Sequence, residues 1–230
     1  MELDANNQLL FHWIPIVFGL VLMLPIGEGL GKLLSKRWPS LETKRVRTLG
    51  GMLLVMLGGF TVSVHTLWIH NKRKELGSGD FCASEGLFDC SSVIGDDSWN
   101  TMPVLDIPWG IVGMVGFSIL LWIVISVSKE PAADYVANSL KYGKLLGIFG
   151  LFMIGYLIYA EYDIGKLCQY CSTAHFAHIV ATFGFFRLEN MYKTGEWGAG
   201  AGGIKELVDL ADKRERRKRG GYVKPTSEEE

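Results

Sequence analysis

Cys168 and Cys171 open the last long apolar run of the chain as Cys-Gln-Tyr-Cys, and steps of three and four residues then reach His175, His178 and Thr182. At helical pitch these five residues fall on one stripe of an otherwise apolar helix. A thiol at a helix N-terminus is made reactive by unpaired backbone N–H groups and the positive end of the helix dipole, which favour its thiolate. A thiolate attacks a disulfide sulfur or an electrophilic quinone carbon. A second pair, Cys82 and Cys90, lies in a Gly-rich, acidic segment, 71–102. Two dithiols, one in a loop and one at the mouth of a membrane helix, make a relay. The loop pair exchanges with an external protein, the helix pair with something in the bilayer, and mixed disulfides join the two. Two static disulfides clamping one face remain the structural alternative. A zinc site is a poor reading, because Cys168, Cys171, His175 and His178 on one helix stripe span roughly 15 Å of rise and cannot converge on one ion.

The elements that position these residues are membrane helices. Of 230 residues, 49% are hydrophobic, and they cluster in runs. Five runs approach or reach the roughly 20 residues that cross a bilayer: 9–31, 48–70, 103–127, 143–161 and 169–187. The fourth is one of the two shortest, with Tyr142 and Tyr162 expected at its two interfaces. No Lys or Arg precedes Lys32, and Glu2 and Asp4 flank the first run, so it reads as a span and not as a cleavable signal. The fold class is therefore an all-α membrane helix bundle.

The net charge of −1 is uninformative until divided by loop. Nineteen of the 23 Lys and Arg fall in 32–47, 128–144 and from Arg187 onward, segments that share one side of a five-span chain. The positive-inside rule places that side in the cytosol, with the N-terminus outside and all four cysteines facing outward. Disulfides persist in that compartment.

Within 71–102 the sequence predicts a mobile loop carrying Cys82, then a short helix from Cys90 with Ser91 or Ser92 as N-cap. Pro103 and Pro108 are expected to end that element and start the third span. Trp13, Trp68, Trp99 and Trp109 fit an outer aromatic belt, and His70 with Lys72–Lys74 reads as interfacial. Residues 195–203 read as a flexible linker. Residues 204–219, apolar on one face and ending in a basic run, read either as an amphipathic helix on the cytosolic leaflet or as a solvated basic tail. Nothing in the chain supports nucleic-acid recognition.

The loop pair eight residues apart, followed directly by Ser91-Ser92-Val93, and the later CxxC opening a membrane helix resemble the vitamin K epoxide reductase family. The family includes bacterial and archaeal members that couple disulfide formation to quinone reduction. The resemblance covers roughly 48–190, a four-helix catalytic core, with 1–47 contributing an extra N-terminal transmembrane helix and 191–230 a linker and tail. It implies a quinone, ubiquinone or menaquinone, as electron acceptor, and no metal. Many bacterial members carry a fused thioredoxin-like domain, and its absence from this sequence implies a separate, extracytoplasmic thioredoxin-fold partner. Carried over residue by residue, the resemblance makes Cys171 the thiol that forms an adduct with the quinone and Cys168 its resolving neighbour. Cys90 exchanges with Cys168, and Cys82 meets the partner protein. His175 stands where animal enzymes have a tyrosine that hydrogen-bonds a quinone carbonyl. His178, Trp99, Trp109, Ser92 and Ile94 complete the expected quinone side. Rival functions are quinone or vitamin K epoxide reduction proper, a non-catalytic membrane protein with two structural disulfides, and a metal transporter or sensor.

Overall fold

The computed structural model describes residues 5–76, 84–96 and 98–198, and the short pieces 208–209, 211–212 and 215–216. Helices dominate: α1 (Ala5–Met23), α2 (Gly27–Leu34), α3 (Lys44–Leu76), the short α4 (Cys90–Ile94), α5 (Trp109–Lys129), α6 (Val136–Ile164) and α7 (Gln169–Lys193). Two antiparallel two-stranded pieces lie at the end of the bundle that carries the cysteines: β1 (Ser84–Glu85) with β2 (Phe88–Asp89), and β3 (Thr101–Met102) with β4 (Ile107–Pro108).

Among the described residues, α3, α5 and α6 are long and apolar enough to cross a membrane. The expected first span, 9–31, is not one straight helix. It breaks between α1 and α2, which meet at 97° and count as a fourth span only if the bent pair is one. Pro25 stands at the break and cannot donate a backbone bond to continue the helix. A hydropathy run does not register that. The fourth span is also not the shortest, since α6 has 29 residues. The expected third span begins at Trp109 and not near Pro103, which sits in the β3–β4 hairpin, while Pro108 precedes α5 as its N-cap residue. The expected fifth span is α7, 25 residues long. Its two histidines, Arg187, Glu189 and Asn190 leave it too polar to qualify by composition, yet it packs against α1, α3 and α6 inside the bundle.

The core is one apolar cluster running through α1, α3, α5, α6 and α7, with Ile16, Met52, Met56, Leu120, Leu140 and Phe185 almost wholly buried. Lipid is as apolar as these side chains, so close packing and interhelical hydrogen bonds hold the helices together. Between α1 and α3 the bonds form a chain. The Thr61 hydroxyl donates to the Gly58 carbonyl at 3.0 Å and so accepts from His12 Nδ1 at 3.0 Å. His12 Nε2 then accepts from His65 Nδ1 at 3.1 Å.

A second, smaller cluster gathers Val62, Ile69, Cys90, Ile94, Cys168 and Tyr170 at the cysteine-bearing end. At the opposite end the segment after α7 is not a free linker from residue 195. Trp197 is buried in a short turn of 3₁₀ helix, Glu196–Gly198. Its indole donates to the Pro131 carbonyl at 2.9 Å, Arg45 donates to its backbone carbonyl at 3.3 Å, and Lys44 pairs with Glu196 at 2.6 Å. The rest of the expected linker and most of the basic 204–219 stretch lie outside the described residues.

Candidate active site

Cys168 is the N-cap of α7, and its sulfur accepts the Cys171 backbone N–H at 3.1 Å. The two are joined in a disulfide with Cα atoms 5.1 Å apart. This is the local geometry the CxxC spacing predicts: on reduction, charge on the Cys168 sulfur meets an unpaired first-turn N–H. Burial separates the two. Cys168 is wholly inaccessible, whereas Cys171 is half-buried and opens onto a cavity.

Backbone pairing brings the Cys90 loop to this pair. Asp89 N–H donates to the Leu167 carbonyl and Leu167 N–H to the Leu87 carbonyl, both at 3.0 Å, so the residues preceding Cys90 and Cys168 form one short parallel bridge. Cys90 is buried and disulfide-bonded. Cys82 lies outside the described residues. α4 starts at Cys90, but its cap is not Ser91 or Ser92. Asp89 takes that place: its carboxylate accepts the Ser92 N–H at 3.0 Å and the Ser91 and Ser92 hydroxyls at 2.8 and 2.6 Å. Those bonds, the Ser92 hydroxyl foremost, hold the Asp89 carboxyl below the ordinary carboxylate range against the opposing effect of burial.

The cavity has a volume of about 360 Å³, within the span of small-molecule sites. It lies between α3, α5, α6 and α7, and its lining is overwhelmingly apolar. Cys171, His175, His178, Trp99, Trp109 and Ile94 all line it. Ser92, expected on the same side, does not, because its hydroxyl is turned to Asp89. His178 Nε2 donates to the Gly147 carbonyl at 2.9 Å. The adjacent Gly150 makes room for that ring, since a Cβ there would fall 2.1 Å from Nε2. Thr182, at the deep end of the stripe, is buried and returns its hydroxyl to the His178 carbonyl at 2.8 Å. Trp109 donates its indole N–H to the Trp99 carbonyl at 2.9 Å, and Trp99 donates its own to Asp163 at 3.1 Å. Tyr156 packs against both indoles.

Three polar residues of the lining escaped sequence reasoning. His70, expected among interfacial residues, is enclosed by protein. It is 4% exposed, its Nδ1 donates to the Ile94 carbonyl at 3.4 Å, and its buried Nε2 has no hydrogen-bond partner among the described residues. Asn100 adds an amide. Glu161 is 4% exposed and its Oε1 accepts the Cys168 N–H at 3.2 Å. An acid seven residues before a CxxC and inside an apolar run was a usable signal, because intramembrane carboxyls are costly and mark function. The positive-φ turn at Gly165 (φ 71°) ends α6 and folds Cys168 back onto Glu161. One carboxylate oxygen of Glu161 and the two sulfurs lie within 4.8 Å of one another. The cluster thus sets a carboxylate beside the Cys168–Cys171 disulfide.

The profile of the Vitamin K epoxide reductase family matches residues 51–185, more than half of the chain. The chain belongs to that family. No curated protein and no solved structure matches. As a family member it is a membrane oxidoreductase, and it carries the Cys168–Cys171 disulfide at the mouth of α7. The match starts inside α3 and ends inside α7, and α1, α2 and the Trp197 turn lie outside the matched residues.

Proposed function

We propose that this protein oxidises a thioredoxin-fold partner on the extracytoplasmic side and passes the electrons to a membrane quinone, supporting disulfide bond formation. The partner's dithiol reduces the Cys82–Cys90 pair, and that pair reduces Cys168–Cys171 through a mixed disulfide of Cys90 with Cys168. Cys171 then engages a quinone in the cavity, and the products are a disulfide in the partner and a quinol in the membrane.

One observation carries this reading. The half-buried sulfur of Cys171 opens on an apolar cavity walled by membrane-length helices, while its disulfide partner is buried beside the strand leading to Cys90. A lipid-soluble oxidant fits such a chamber, and a protein thiol does not. His175, His178, Asn100 and His70 offer polar atoms to the oxygens of a quinone and of the quinol it becomes. Two static disulfides would not need the few polar groups that line the cavity.

A cysteine series with the purified protein tests the relay. Cys171→Ala abolishes quinol formation whatever the reductant. Cys82→Ala blocks oxidation of a thioredoxin-fold dithiol yet spares quinol formation driven by dithiothreitol. Equal behaviour of the two variants with dithiothreitol means the order of transfer is wrong. Turnover of vitamin K epoxide at a rate matching quinone would move the assignment to epoxide reduction.

A further inference from the structure

Returning the reduced Cys168–Cys171 pair to a disulfide releases two protons, and Cys168 is wholly inaccessible to water. Some protein group must take the Cys168 proton. Asp163 is engaged with the Trp99 indole and His178 with Gly147. Glu161 alone combines three properties: it lines the cavity, it is hydrogen-bonded to the Cys168 backbone, and its carboxylate lies within 4.8 Å of both sulfurs. No ion pair joins it to a Lys or Arg among the described residues. A lone carboxylate in a membrane bundle is expensive to keep for packing alone.

We propose that Glu161 is the proton acceptor for Cys168 and the donor that completes the quinol, an assignment that rests on the quinone reading above. Cys171 adds to a ring carbon, forming a C–S bond and pushing an electron pair onto a carbonyl oxygen, which takes the proton that Cys171 gave up. Cys168 passes its proton to the Glu161 carboxylate and attacks the Cys171 sulfur. The S–S bond forms, the C–S bond breaks, and its electron pair returns to the ring. Glu161 then delivers its proton to the second oxygen. Two protons and two electrons have moved from dithiol to quinone, and Glu161 is again a carboxylate.

Glu161→Gln is the decisive variant, because its amide oxygen still accepts the Cys168 N–H but takes no proton. With the full chain in detergent, dithiothreitol as reductant and a short-chain ubiquinone as acceptor, quinol formation should fall about a hundredfold, the lower end of a general-base contribution. Intact-mass analysis of quenched samples should show the Cys171–quinone adduct accumulating, and Glu161→Asp should restore part of the rate. A purely structural role slows turnover without adduct. Either that outcome or a wild-type rate overturns the proposal. A second arm replaces the quinone with 2-hydroxyethyl disulfide. Cys168 must again lose its proton to resolve the mixed disulfide at Cys171, so that species should persist in Glu161→Gln and be fleeting in the wild type. If the wild type reduces no quinone, the reading of the cavity fails while Glu161 is still judged by this arm. If quinone is reduced and neither intermediate builds up, Glu161 fails alone.

Discussion

At the scale of single residues the site divides its labour by burial. Cys171 meets the cavity, Cys168 is sealed behind it, and the polar atoms around the chamber are few. Each of those polar groups then carries weight, because an unmet polar atom in an apolar site costs as much as a good hydrogen bond returns. His175→Leu and His70→Leu are therefore each expected to lower kcat/KM for a short-chain quinone about tenfold, equivalent to about 1.4 kcal/mol, in steady-state assays with dithiothreitol. An unchanged kcat/KM would remove that histidine from the quinone site. The stripe Cys168, Cys171, His175, His178 was legible in the sequence because helical spacing is local. His70 was not. Lys72, Arg73 and Lys74 mark its neighbourhood as a water-facing helix end, and only the fold lays Ile94 over it.

Elements decide how the two dithiols approach one another. The sequence correctly starts a helix at Cys90, but serine hydroxyls and an aspartate compete for the same N-terminal amides. Asp89 wins because one carboxylate serves Ser92 N–H and both hydroxyls together. Asp89→Ala should cost about 1 kcal/mol of local stability, visible as faster hydrogen exchange of the 90–94 amides and slower transfer from the loop pair to Cys168. The sign of the pH effect follows from the lowered pKa of Asp89, whose carboxylate the Ser92 and Ser91 bonds stabilise. The cap's contribution is complete above the ordinary carboxylate range and disappears as pH falls through the folded-state value, so wild type and Asp89→Ala should converge in acid. Convergence at neutral pH would show that the cap does not hold α4. At the same scale, hydropathy alone misjudged α1–α2, because it counts apolar residues but is blind to Pro25.

For the whole molecule, the two ends of the bundle have opposite characters. One end holds Cys90, Cys168 and Cys171, the hairpins and the aromatic rings of Trp99 and Trp109. The other is tied by Lys44–Glu196, the buried Trp197 and the Glu189 carboxylate shared by Lys144 and Lys193. The concentration of Lys and Arg at the second end orients it toward the cytosol in our reading. Leu105, exposed at the hairpin tip, and Arg37, exposed between α2 and α3, report on this directly. In a chain whose native cysteines are replaced by serine, Leu105→Cys should react with an impermeant maleimide on intact cells and Arg37→Cys only after permeabilisation. The reverse pattern would place the cysteine chemistry inside and end the proposal of an extracytoplasmic partner.

What the amino-acid sequence determined on its own was everything set by neighbours in the chain: the apolar runs, the charge asymmetry, the CxxC at a helix mouth and the histidines one and two turns below it. These depend on helical pitch and transfer energies, which act over a few residues. What only the tertiary structure decided was which distant groups share a volume. Glu161 reaches Cys168 because Gly165 reverses the chain, Cys90 reaches the same cluster through the pairing of Phe88 with Leu167, and four helices close the cavity onto Cys171. No local preference encodes those encounters; they arise when the bundle packs and brings residues far apart in the chain into contact.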